Sequence, residues 1–136
     1  MKPNEHRGSK QKGDHGIGVA IAHYTSLGHT VCIPLTDSQP FDLVVFAHGK
    51  FSRIQVRVTC QKKIGKRGIK WVVRLCSTSM RADGKARYAT FNVNAADVLF
   101  VVTNDGDCYE IPYGKLKGNK WMIVVGNKYK EFIIGE

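Results

Sequence analysis

Acidic residues are scarce in this chain: 11 Asp and Glu stand against 21 Lys and Arg among 136 residues, for a formal charge of +10. The deficit points to an anionic partner, a nucleic acid or an acidic membrane surface. Long apolar runs are also missing. The longest fall far short of the roughly 20 residues that cross a bilayer as a helix, which excludes that use of a membrane. Cysteine is sparse. Cys32, Cys60, Cys76 and Cys108 are widely separated with no CxxC pair, and no apolar signal segment opens the chain. Reduced thiols in an intracellular protein are expected, cytoplasmic or nucleoid-associated if prokaryotic. Cys32, Cys60 and Cys76 end or interrupt apolar runs and read as core residues. His15, His23, His29 and His48 lack zinc-finger or HExxH spacing, and the aromatics lack the strand pattern of an RNA-binding RRM.

What is present is one domain's worth of chain, 43% hydrophobic, with its positive charge concentrated. Between Lys50 and Arg87 lie twelve basic residues and one acid, Asp83. That is the distribution of a surface that tracks phosphates. Residues 1–13 are polar and basic and read as a flexible arm, leaving 14–136 as a single domain.

Asp14 is placed to cap a helix in which Ile17, Ala20, Ile21 and Tyr24 recur at helical spacing, closed by Leu27 and Gly28. A short strand is expected over Thr30 to Ile33, then a connection from Pro34 to Pro40. Phe41 to Ala47 and Phe51 to Cys60 read as strands around His48 and Gly49. A two-residue turn there pairs Ala47 with Lys50 and sets Asp42 opposite Gln55. Alternation then puts Leu43, Val45, Ile54, Val56 and Val58 on a core face and Asp42, Gln55 and Arg57 on a polar one. Downstream, Gln61 to Gly68 reads as a basic turn, Ile69 to Cys76 as a strand, Ser77 to Lys85 as a polar loop, and Tyr88 to Val93 as a short strand. Asp97 to Thr103 and Cys108 to Tyr113 form a hairpin across the Asp105-Gly106 turn. Trp121 to Val125 and Lys130 to Ile134 form another, whose apolar faces suit a subunit interface.

The order of these parts, a helix opened by Lys12, Gly13 and Asp14, a strand ending in Ile33 and Pro34, then PFDLVV and FSRIQVRV, resembles the PD-(D/E)xK nucleases, in particular group I intron-encoded homing endonucleases. The resemblance implies an α/β fold with a restriction-endonuclease-like core, a mixed central β-sheet, an N-terminal helix and additional C-terminal β-hairpins. It matches Asp42 to the metal-binding Asp, Gln55 to the acidic or amide position of the D/ExK element, and Arg57 to the usual Lys. Two departures stand out: the Glu that many relatives carry in the first helix is Ile17 here, and the Lys has become Arg.

Phosphodiester hydrolysis of this kind uses Mg²⁺ held by hard oxygens. Asp42 and Gln55 are the expected ligands, with Asp37 or Glu110 as possible further carboxylates, and His15 lies close to the missing Glu. Arg57 suits phosphate clamping better than moving the proton of the attacking water. Asp97 is expected to cap or turn the chain. Lys12, Arg53, Lys62, Lys63, Lys66, Arg67, Lys70, Ser77, Ser79, Arg81, Lys85 and Arg87 are the expected contacts to double-stranded DNA. The expected activity is a Mg²⁺-dependent DNA endonuclease of homing type, acting as a homodimer or homotetramer. A Holliday-junction resolvase acting on a four-way DNA junction and a catalytically impaired DNA-binding protein are the alternatives.

Overall fold

A computed structural model describes residues 8–66, 68–75, 78–80, 82–88, 91–119 and 121–134, the side chains of 9, 78–80 and 86–88 excepted. Arg67, Cys76, Ser77 and Arg81 lie outside the described residues, and Ser79 and Arg87 are described by their backbone alone.

Helix α1 spans Ser9–Ser26, starting upstream of the expected Asp14. Lys10, Gln11 and Lys12 are good helix formers, and the Gly8 N–H donates to the Gln11 amide oxygen at 3.4 Å, so the first turn is secured without Asp14. The helix stops where Gly28 adopts a φ of 78°. Its most buried stripe is Gly16, Ala20 and Tyr24, with Ile17 and Ile21 flanking.

The main sheet has the order β1-β2-β3-β8-β9, with β1 Thr30–Cys32, β2 Leu43–Ala47, β3 Lys50–Thr59, β8 Val98–Thr103 and β9 Cys108–Pro112. The β2–β3 register is the expected one: Ala47 pairs with Lys50 and Leu43 with Ile54. His48 and Gly49 both take positive φ, 51° and 77°, which is the two-residue turn whose twist matches a hairpin. β3 and β8 run parallel, Ile54 beside Val98 through Thr59 beside Thr103, and the sheet is therefore mixed. β8 is the apolar run a parallel central strand needs, with Leu99 to Thr103 all buried.

Both faces of the sheet are covered. On one, Ala20 and Tyr24 of α1 pack on Leu43, Val45, Ile54, Val56, Phe100 and Val102. On the other lies a second sheet of order β10-β5-β4: β4 Lys62–Gly65, β5 Gly68–Arg74 and β10 Met122–Val125. Trp71, Val73, Ile123 and Val125 from it meet Leu99, Val101, Tyr109 and Ile111. A small hairpin pairs β6 Thr78–Met80 with β7 Ala86–Tyr88, where a loop and a later strand were expected.

Further expectations need correction. Lys62–Gly65, expected as part of a basic turn, is a strand that pairs with β5. The final hairpin does not form: β10 pairs with β5, from Met122 beside Arg74 to Val125 beside Trp71. After Tyr129, at a φ of 66°, the chain enters a 3-10 turn over Lys130–Phe132. Long-range burial against Trp71 and Val73 outcompetes the local partner, and Ile123 and Val125 are core rather than a free interface. Cys32 is exposed at the edge strand, whereas Cys60 and Cys108 are half-buried, all as free thiols. Among the described residues no helix is long and apolar enough to cross a membrane.

Candidate active site

The hairpin turn fixes the site. β2 and β3 pair without a bulge from Ala47 beside Lys50 to Leu43 beside Ile54, and Asp42, just before β2, donates its N–H to the Ile54 carbonyl at 2.9 Å. Asp42 Oδ2 accepts from the Val56 N–H at 2.9 Å and from Gln55 Nε2 at 3.1 Å. Gln55 Nε2 also reaches the Val56 carbonyl at 3.3 Å. One amide nitrogen thus sits between a carboxylate oxygen and a main-chain carbonyl, while Asp42 Oδ1 accepts no hydrogen bond among the described residues.

The face carrying Asp42, Gln55 and Arg57 is not the open polar surface that alternation suggests. Gln55 neighbours Leu99, and Arg57 neighbours Val101, and both of those side chains lie in the core under the second sheet. The polar groups border that core, with Gln55 only 9% exposed and Arg57 half-buried. Among the described residues, Arg57 Nε is buried with no hydrogen-bond partner. A guanidinium N–H left unpaired at the margin of a core is costly unless an anion meets it. His15 Nε2 on α1 is likewise buried and unpartnered among the described residues.

Glu110 does not join this site. It pairs across the sheet with Phe100, which neighbours Val56 on the α1 face, and its carboxylate lies 3.5 Å from His23 Nε2. Asp37 is exposed in the connection between β1 and β2. Among the described residues no three His, Cys, Asp or Glu side chains converge as a metal cluster. A divalent ion at the hairpin would therefore have one carboxylate, the Gln55 amide oxygen after the amide turns over, and the Val56 carbonyl. Such a set fits Mg²⁺, which accepts few protein oxygens and completes its octahedron with water and phosphate.

Of the expected DNA contacts, Lys62, Lys63, Lys66 and Lys85 are exposed, and Lys12 and Lys70 half-buried. Ser79 and Arg87 are register partners on β6 and β7. Arg53 is committed within the fold: Nε and Nη2 bond Asp97 at 3.2 Å each, Nη1 reaches the Asn94 carbonyl at 3.0 Å, and its N–H meets Asp97 Oδ2 at 2.7 Å. Asp97 therefore tethers β3 to the start of β8, and the side-chain hydrogen bonds from Arg53 hold the Asp97 carboxyl below the ordinary range. The sequence held no local signal for this pair, nor for the main-chain role of Val56. Gly16 of α1 lies close against β3, where a Cβ would stand 2.4 Å from Val58 Cγ2.

The fold has a counterpart among solved structures. A bacterial homing endonuclease, I-Ssp6803I, shares the fold at a TM-score of 0.76 with 23% sequence identity, over 91% of this chain and 82% of that one. No curated protein matches the chain. The family model for PD-(D/E)XK endonucleases matches residues 7–131, nearly the whole of it. The chain is a member of the PD-(D/E)XK endonuclease family.

Proposed function

We propose that this protein is a Mg²⁺-dependent DNA endonuclease of homing type that hydrolyses phosphodiester bonds at the β2–β3 hairpin. The observation that carries the reading is the Asp42–Gln55–Val56 constellation, in which an amide nitrogen lies within 3.3 Å of two outward oxygens at a place suited to a cation. PD-(D/E)XK nucleases generally use divalent ions. Asp42, the Gln55 amide oxygen and the Val56 carbonyl would hold Mg²⁺, which supplies Lewis acidity toward the phosphate and a lowered pKa for a bound water.

The chain's own contributions follow from position. The Val56 N–H holds the Asp42 carboxylate in one orientation. Turning the Gln55 amide over exchanges nitrogen for oxygen without changing its shape, so ion binding needs no repacking. Arg57, two residues along the same strand face, carries the unpaired Nε and would clamp a phosphoryl oxygen as charge develops there. The exposed lysines of β4 would bind flanking phosphates, which position the duplex without reading it. A homing nuclease must act on two strands, which favours a dimer or tetramer.

A second reading, a DNA-binding protein with an impaired site, is favoured by Ile17 in place of the helix Glu and by Arg57 in place of Lys. One experiment separates the readings. The protein is incubated with Mg²⁺ and supercoiled plasmid, genomic DNA carrying candidate insertion sites, or a synthetic four-way junction, with Asp42→Ala in parallel. Cleavage of duplex lost in the variant supports the homing reading. Preference for the junction supports a resolvase. Salt-sensitive binding with no cleavage of any substrate supports the binding protein.

A further inference from the structure

The segment from Lys62 to Arg74 holds six basic residues and no acid, and β4 and β5 within it pair as a two-stranded ribbon. Ile64 pairs with Ile69 near its tip. These two are 81% and 49% exposed, and every residue of β4 is exposed. The base of the ribbon is firm by contrast: Trp71, Val72 and Val73 are buried, the Val72 N–H donates to the Gln61 carbonyl at 3.0 Å, and Lys62 Nζ lies 5.5 Å above the Trp71 ring. A rigid base with a solvated tip is a projecting element. Lysines on a free edge can simply protect it from pairing with another chain, but that role gives no reason for a bare isoleucine pair beside them.

The direction of that pair matters. Alternation along β5 places Ile69 on the side of Trp71 and Val73, which pack on Leu99 and Val101. Those residues neighbour Gln55 and Arg57 in the register. The isoleucines and the candidate active site are therefore on facing sides of the two sheets. A second copy of the chain would set this basic ribbon against another basic surface, whereas a polyanion with apolar groups between its charges complements it.

We propose that the β4–β5 ribbon is the sequence-reading element, entering the major groove of duplex DNA with Ile64 and Ile69 against base edges such as thymine methyls, and with Lys62 and Lys66 on the flanking phosphates. This rests on the DNA-endonuclease reading above. A two-stranded ribbon fits the major groove, where thymine methyls are displayed. β3 joins the two sites: Gln55 to Thr59 spans roughly 13 Å at about 3.3 Å per residue, so the bases read lie to one side of the scissile phosphate.

The test is selection of binding sites from a randomised duplex pool by the full chain in EDTA, followed by guanine-N7 methylation interference on the selected site. The wild type should select a preferred sequence with interference in the major groove. Ile64→Ala/Ile69→Ala should lose preference at the thymines facing the ribbon, with affinity falling about fourfold for each thymine methyl left uncovered, the weight of one buried methyl group. Lys66→Ala should weaken all sequences alike and reduce the salt slope by about one; it also serves as the second variant should the double substitution fail to fold. An unchanged selected sequence in a folded isoleucine variant overturns the ribbon assignment while leaving the DNA reading intact. Loss of self-association without a change in base preference overturns it in favour of an interface between copies. A wild type that binds no duplex overturns both readings.

Discussion

Gly16→Ala and Gly18→Ala make the same covalent change two residues apart on α1 and should have opposite effects. In a helix interior, losing the freedom of glycine is worth about 0.5–1 kcal/mol. Gly18 has nothing within 4 Å of where a Cβ would be, so the full gain is expected there. At Gly16 the new carbon would lie 2.4 Å from Val58 Cγ2 and 3.2 Å from Val56 Cγ1. Valine is stiff at χ1, and overpacking of this kind costs about 1–3 kcal/mol. The clash outweighs the propensity gain, leaving the two variants roughly 1–3 kcal/mol apart on the same scale of overpacking. Urea unfolding at one protein concentration measures the gap. The same displacement moves Val56, whose N–H holds Asp42, so Gly16→Ala should also slow cleavage while Gly18→Ala leaves it unchanged. Equal stabilisation by both substitutions would refute the seating of α1 on β3 through Gly16.

Other expectations follow from the same geometry. Gln55→Glu exchanges the amide that donates to Asp42 at 3.1 Å for a second carboxylate, so the metal-free protein should melt lower and Mg²⁺ should raise its melting temperature more than that of the wild type; calorimetry with and without Mg²⁺ checks this, and equal Mg²⁺ responses would count against the hairpin as the ion site. Arg57→Ala should lower the cleavage rate about 10²–10³-fold, the usual loss for one donor to a developing oxyanion, with duplex affinity changed far less in gel-shift titrations. Asp97→Asn tests the tether to Arg53. The folded pKa of Asp97 is depressed, first by the side-chain hydrogen bonds from Arg53, so its contribution is present above the unfolded carboxylate pKa of about 3.9 and fades as pH falls through the lower folded value. The pair is 40% and 44% exposed, which limits the difference in urea stability between wild type and variant to about 1 kcal/mol near neutral pH. That difference should shrink in acid and in high salt.

The candidate site was legible because it is written almost entirely in one hairpin. His48-Gly49 specifies the turn, the turn specifies the register, and the register brings Asp42 within reach of Gln55. The β8–β9 hairpin was legible for the same reason, through the Asp105-Gly106 turn. What escaped reading depends on partners far away in sequence. β10 has an equally plausible neighbour in the segment after Gly126, and only the burial of Trp71 and Val73 decides against it. The ribbon was hidden because glycines and lysines at Lys62 to Gly68 look like a loop until pairing with Ile69 to Trp71 is known. Val56 escaped because its contribution is made by main-chain atoms, which every residue carries.

The parallel pairing of β3 with β8 also has a kinetic consequence. Arg53 and Asp97, which bracket that pairing, are 44 residues apart in the chain, and the large loop between them must be closed before the central strand gains its partner. Hairpins form in about 1–10 μs, whereas topologies rich in non-local pairing fold in milliseconds to seconds. During synthesis Asp42 and Gln55 thus emerge and can meet early, on a hairpin whose far edge is bare until β8 leaves the ribosome. In that interval the main-chain edge of β3 from Ile54 to Thr59, which β8 later covers, is open to pairing with a neighbour.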